Sequence, residues 1–397
     1  MTTITGNRDP NRLIAPDWTS TTMYGLGGSD LLTGSFGGDS FIWGGIGNDT
    51  LEGGTGVNRL HGEAGNDRIR VFWPSEDSQL YGGAGNDYLD AGDGGNYLDG
   101  GVGVDTMRGG EGGDTFIVDN VSDLVEDFWV PEYDNVANPK DVVKASISYT
   151  LASGARIEVL ETTDAAAAAP INLAGNVFAQ TIKGNAGSNV LDGMGGNDVL
   201  IGGAGADRLI GGSGSDTASY ETAVGGVTAS LAKASRNTGD AAGDTYATIE
   251  NLAGSKFNDR LYGNAETNKL SGGHGNDLLV GGLGGDILTG GAGADSFVFN
   301  TSLAAPNVDR ITDFRVLDDT IRLENAVFAA LSTGKLGASA FASNTSGKAT
   351  DALDRLIYEK DSGALWYDAD GNGSGARFQF ATLPAGLGLT AADFLVI

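Results

Sequence analysis

The chain has 397 residues, with 52 Asp and Glu against 24 Lys and Arg, for a formal charge of −28. Such acidity argues against nucleic acid or anionic lipid as a direct partner and for bound cations. Cysteine is absent, which excludes disulfides and thiolate metal sites, and no run approaches the ~18 apolar residues of a membrane span.

Glycine numbers 66, without the strict three-residue period of collagen. Forty per cent of residues are hydrophobic and they fall in register, which sets the chain apart from a disordered acidic polymer.

Residues 1–23 form a polar lead, expected to cover the open end of a coil, and Met1–Trp18 lacks the apolar core of a signal peptide. A first repeat block spans residues 24–118. Its acids recur at Asp30, Asp39, Asp49, Asp67, Asp87, Asp105 and Asp114, with Asn58 and Asn96 in the same phase. The inward apolar positions expected from that phase are Leu32, Phe41, Leu51, Leu60, Ile69, Leu89, Leu98, Met107 and Phe116. The phase slips at Trp43 and again between Val71 and Tyr81, where a bulge or looped-out turn is expected.

Residues 119–174 are a spacer in which Val142–Leu151 alternates as one half-buried strand and Arg156–Glu161 suggests another; both read as metal-free continuations of the coil. A second block, 175–216, carries Asn189, Asp198, Asp207 and Asp216. The spacer 217–253 contains Asp240 and Asp244 outside the repeat phase, so an ordinary turn is expected there rather than an ion site. The third block, 254–298, carries Asp259, Asn268, Asp277, Asp286 and Asp295. Residues 299–397, richer in large apolar side chains, read as a β-rich cap.

The pattern is clearest from Gly272 to Val298, where GGHGNDLLV, GGLGGDILT and GGAGADSFV stand end to end. Each reads G-G-x-G-x-D-x-U-x, with U large and apolar. The glycine half makes a tight turn with left-handed positions, and D-x-U-x is a short strand with U inward. Two repeats make one coil, so residues eighteen apart stack on parallel strands about 4.8 Å apart. Asp277 then lies beside Asp295. Two bare carboxylates that close repel, and a Ca2+ held by them and by turn carbonyls makes the arrangement favourable. The expected carbonyl ligands are those of Gly44, Gly47, Gly82, Gly85, Gly202, Gly205, Gly272, Gly275, Gly281 and Gly284. The fold class is therefore all-β: a parallel β-roll, or β-solenoid, with a β-rich C-terminal cap. Its core is thin, so calcium binding is expected to supply folding free energy.

These blocks, with ISYTL at Ile147–Leu151, IENLAGS at Ile249–Ser255 and ITDF at Ile311–Phe314, resemble secreted proteins of the RTX (repeats in toxin) family, in particular rhizobial glycine-rich calcium-binding proteins. The resemblance implies rolls that fold on Ca2+ and export by a type I secretion apparatus that reads an uncleaved C-terminal signal. The terminus Asp393-Phe394-Leu395-Val396-Ile397 is similar to such signals.

The chain departs from the family's proteases. Its two histidines, His61 and His274, both lie inside repeats, so an HExxH zinc site cannot be built. Asp368-Ala-Asp370-Gly-Asn372-Gly373 matches half an EF-hand loop but has Gln379 at position twelve, which favours a glycine-rich hairpin turn. Trp18, Tyr24, Trp43, Phe72, Trp73, Tyr81, Tyr88 and Tyr97 cluster in the first block, as packing at a coil end or as a platform for sugar rings.

Two roles stay open. One is a non-enzymatic surface or matrix protein binding polysaccharide or a host surface. The other is a calcium-dependent polysaccharide-active enzyme of lyase or epimerase type, with ion buffering a third alternative.

Overall fold

The computed structural model describes residues 1–71, 77–127, 140–303 and 307–397. Among these residues there is no α-helix; almost every element is a strand of two to seven residues. The chain forms two compact units, Met1–Val199 with Gly212–Gly214, and Leu200–Gly211 with Ser215–Ile397. The division falls inside the 175–216 block.

In the first unit each coil supplies one strand to each of two parallel sheets. One face runs through Thr2–Thr5, Thr21–Gly27, Ser40–Ile46, Asn58–Ala64, Gln79–Ala84, Tyr97–Val102 and Thr115–Val118. The other runs through Arg12–Ile14, Leu31–Thr33, Thr50–Gly53, Arg68–Val71, Tyr88–Asp90, Thr106–Arg108 and Leu124–Glu126. Strand alternation drives every second side chain inward, where Met23, Ile42, Leu60, Leu80, Leu98 and Phe116 form one fully buried file and Leu32, Leu51, Ile69, Leu89 and Met107 another. Each coil thus buries only two large side chains. The polar lead is itself the first coil, since Thr2–Thr5 pairs with Thr21–Tyr24.

Two sequence expectations shift. Phe41 faces outward and Ile42 takes the buried position, because one extra residue between Asp30 and the next strand moves the phase. The 142–151 segment is broken at Ser146–Ser148 into Val142–Ala145 and Tyr149–Thr150, which join different sheets, and Ile147 is half-buried at the break. The irregularity expected at 71–81 falls partly on residues 72–76, outside the described residues. On either side of it the register holds, with Leu60 opposite Leu80.

The second unit repeats the scheme. Asn251–Ala253, Lys269–His274, Ile287–Ala292 and Asp309–Ile311 make one parallel face. Thr228–Ser230, Arg260–Tyr262, Leu278–Val280, Ser296–Phe299 and Thr320–Leu323 make the other. The chain's last strand, Phe394–Val396, adds in parallel to Ile321–Leu323. The cap then closes over this end with an antiparallel hairpin of Ala364–Tyr367 and Phe378–Thr382. Phe380 makes edge contacts with Phe299 and Phe328, both at 5.1 Å between ring centroids, and Phe341 packs on Phe394 at 5.2 Å. The Asp368–Gly373 segment lies within that hairpin's turn, where Asp370 accepts the Gly375 N–H, in line with the turn reading.

Candidate metal centres in the glycine turns

Each D-x-U-x strand begins on a residue whose backbone N–H points along the stack. In the first unit the N–H of Asp30 donates to Asp49 Oδ1, Asp49 to Asp67, Asp67 to Asp87 and Asp87 to Asp105, each at 2.7 Å. Asp105 donates to Asp123 at 3.0 Å. A second column on the opposite edge joins Ser78, Asn96, Asp114, Asp141 and Glu158 in the same way. In the second unit Asp259 donates to Asp277, Asp277 to Asp295 and Asn268 to Asp286, each at 2.8 Å. The pairs expected from the eighteen-residue spacing are therefore stacked: Asp49 with Asp67, Asp87 with Asp105, Asn96 with Asp114, and Asp277 with Asp295.

One oxygen of each carboxylate is used in this ladder. The other is not. Oδ2 of Asp30, Asp49, Asp67, Asp87, Asp105, Asp114, Asp277, Asp286 and Asp295 is buried and finds no hydrogen-bond donor among the described residues. These oxygens face the first glycine of their own turn. A Cβ built on Gly25, Gly44, Gly62, Gly82 or Gly272 would lie within 3.0 Å of that carboxylate oxygen and of the carbonyl oxygen of the corresponding glycine one coil on. The carbonyls of Gly44, Gly82 and Gly272 are brought in this way beside Asp30, Asp67 and Asp259, and that of Gly281 beside Asn268.

The carbonyls of Gly47, Gly85 and Gly275 point along the stack at Gly65, Gly103 and Gly293, where again a Cβ would collide. In the Asp207 turn Gly202 faces Asp207 Oδ2, and Gly205, like Gly284 in the Asp286 turn, takes a positive φ. Only glycine leaves this oxygen-lined space open.

The donor set is all oxygen, carboxylate plus carbonyl, which suits a hard divalent ion of the size and coordination number of calcium. Among the described residues no three His, Asp or Glu side chains converge, so carbonyls are needed to complete any shell.

Burial dominates the electrostatics. It pushes Asp49 and Asp286 up to about 6 and Asp67, Asp105, Asp114 and Asp277 up to about 7, with the neighbouring acids of the same ladder adding repulsion at Asp49, Asp67, Asp105 and Asp277. A cation beside these groups would reverse that cost.

Asp39 stands outside the column, and several other predicted ligands have different partners. Asp39 lies one residue before the column, where its Oδ1 accepts the Val57 N–H, and Ser40 occupies the acid position. Asp259 is in its column, but its Oδ2 is taken by the Ser255 N–H and hydroxyl. Asn189 offers an amide whose nitrogen donates to Ile171 O and Asn185 Oδ1. Asp198 receives the Gln180 N–H at 2.7 Å, whereas Asp207 and Asp216 send their own N–H groups to Asp244 and Glu250.

Those last partners were not anticipated. Asp123, Asp141, Glu158, Asp244, Glu250, Asp309 and Asp319 all continue the ladders through the spacers and into the cap. Asp244, expected in an ordinary turn, is fully buried and also receives the Tyr220 hydroxyl at 2.8 Å.

The aromatic cluster resolves into a row. Tyr24, Trp43, His61 and Tyr81 stack face to face on successive coils, with centroids 5.1, 5.3 and 4.5 Å apart. Within the row the facing sides of the rings cover one another, Tyr24 at its end is exposed, and His61 is held below its usual range by burial and by Arg59. Tyr88 lies under Arg68, and Trp18 meets Phe36 edge-on. Phe72 and Trp73 lie outside the described residues.

The family pattern described as the RTX calcium-binding nonapeptide repeat (4 copies) matches residues 43–70, 80–116, 183–218, 245–279, 253–288 and 271–300. No curated protein matches the chain. The matched segments hold Asp49, Asp67, Asp87, Asp105, Asp114, Asp277, Asp286 and Asp295 with their glycine turns, so the all-β roll carries RTX calcium-binding nonapeptide repeats.

Proposed function

We propose that this chain is a secreted, non-enzymatic surface or matrix protein whose rolls fold on calcium outside the cell. The observation that carries the reading is the row of buried carboxylate oxygens without donors on one edge of the first roll, Asp30 through Asp105. Calcium, when bound, supplies the positive charge and accepts the six to eight oxygens such a row offers. Extracellular calcium sites of roughly 10⁻⁴–10⁻³ M affinity would be empty in cytosol and filled outside. The rest of the chain is suited to wait for the ion: each coil buries two large side chains, and the backbone entropy of its glycines opposes folding.

Export through a type I apparatus fits the same order of events. Phe394 and Val396 are buried and paired with Ile321 and Leu323, and the Ile397 carbonyl accepts the Asn325 N–H. A receptor that reads this terminus must do so before the cap folds. Deleting residues 393–397 in cells with a type I exporter tests the reading: the shortened chain is expected to stay inside, and export at the full-length level would overturn the assigned signal. His61, stacked on both faces, is suited to a structural place rather than a catalytic one.

A further inference from the structure

The acid position of the ladders is filled by aspartate in some turns and by asparagine in others, and the turns around the two differ. Where it is Asp49, Asp67, Asp87 or Asp105, Oδ2 is buried without a donor. Where it is Asn58, the side chain closes its own turn: Oδ1 accepts the Gly54 N–H at 2.9 Å, and Nδ2 donates to Gly54 O at 3.0 Å and Gly56 O at 2.6 Å. Asn96 closes its turn through the nitrogen alone, with Nδ2 donating to Gly94 O at 2.8 Å and Asp93 O at 3.3 Å, while its Oδ1 accepts the Ser78 N–H at 3.0 Å.

Gly56 and Gly94 stand two residues before the asparagine, as Gly47 and Gly85 stand two before Asp49 and Asp87. The amide nitrogen therefore takes a carbonyl of the kind that an ion would use in the aspartate turns. In the second unit Asn268 also satisfies both amide atoms, but partly across coils: its Oδ1 accepts the Asn264 N–H at 2.8 Å and its Nδ2 donates to Glu250 O on the preceding coil at 2.9 Å.

An amide brings two donors and no charge, whereas a carboxylate brings acceptors alone. A turn of inward-facing oxygens is satisfied by the first and left in need of a cation by the second. Some aspartates are closed by protein donors instead: Asp244 by the Tyr220 hydroxyl, Asp259 by Ser255 and Asp319 by the Arg315 N–H at 2.7 Å.

We propose that the asparagines at Asn58, Asn96 and Asn268 are built-in substitutes for the ion, so that calcium loads the first roll along one edge and is kept from the Asn58 and Asn96 turns of the other. The loaded edge is that of Asp49, Asp67, Asp87 and Asp105. The edge of Asn58 and Asn96 is closed without metal as far as Asp114, where a donorless oxygen returns. The inference rests on the calcium reading above and adds to it which turns take the ion.

The test is a count of calcium ions per full-length chain, by native mass spectrometry and isothermal titration, for the wild type, Asn96→Asp, Asn268→Asp and Asp87→Asn. Each Asn→Asp change is expected to add an ion, and Asp87→Asn, which carries the closing amide into an open turn, to remove one. The two Asn→Asp changes sit in different units, so a folding failure in one leaves the other to decide. A wild type that binds calcium, with counts unchanged in the folded Asn→Asp and Asp→Asn variants, overturns the partition alone. A wild type that binds no calcium overturns the calcium reading itself and the partition with it.

Discussion

The backbone N–H of Asp49 donates to Asp67 Oδ1 at 2.7 Å while Asp67 Oδ2 is buried beside Gly62 with no donor. The same carboxylate thus holds two coils in register with one oxygen and offers the other to a cation. Removing the side chain should separate those two roles. Asp277→Ala, the equivalent change in the second unit, leaves the Asp259 N–H buried and unpaired, a loss of about 1–3 kcal/mol. In saturating calcium, denaturant unfolding of Asp277→Ala is expected to show at least that loss; a midpoint equal to wild type would remove the ladder from the stability account.

Protons can stand in for the ion in part. Asp49, Asp67, Asp105, Asp114, Asp277 and Asp286 are raised by burial to between about 6 and about 7 in the metal-free fold, against an unfolded value near ~3.9. The folded chain then binds more protons than the unfolded one, so this contribution is complete below about 4 and is lost as pH rises through 6 and 7. In chelator, far-ultraviolet circular dichroism is expected to show more β-structure at pH 5 than at pH 8. The opposite order would mean that these carboxylates are not buried in the metal-free chain.

Glu63 occupies a turn position with φ of 76° where neighbouring coils place Gly45 and Gly83. A side chain there costs roughly 1–2 kcal/mol. Glu63→Gly should therefore raise the stability of the calcium-loaded protein by about 1 kcal/mol, net of the entropy a new glycine adds to the unfolded chain. A lower melting temperature in calorimetry would count against strain at this turn.

Much of the roll was legible in the sequence, and the exceptions have a common cause. The nonapeptide phase places Leu51, Ile69, Leu89 and Leu98 inward and stacks Asp49 on Asp67, as observed. It fails at Asp39, because a single inserted residue hands the acid position to Ser40. It also passes over Asp141, Glu158, Asp244 and Asp309, because the chain between their strands is longer or shorter than a repeat. A weaker signal was present at three of them: an acidic residue two positions before an inward Val143, Leu160 or Ile311, the D-x-U half of the motif without its glycine turn. The strand half governs the ladder and the glycine half governs the open space. The donorless Oδ2 of Asp49, Asp67 and Asp277 stands where both halves occur.

The cap supplies the apolar packing that the repeats lack. Phe380 is buried against Phe299 and Phe328, and Phe380→Ala should cost about 3–5 kcal/mol. Phe380→Ala is expected to need higher calcium to reach the same β-content, since the second unit loses an aromatic cluster. An unchanged calcium midpoint would show that the rolls fold independently of the cap.

The most direct test of the central claim is a calcium titration of the purified full-length chain at neutral pH, followed by far-ultraviolet circular dichroism with magnesium as the control. A cooperative gain of β-structure at millimolar calcium, absent with magnesium, is the predicted result. Full β-structure in excess chelator at the same pH would contradict it and would leave the aspartate rows as an acidic lining on a roll that folds without metal.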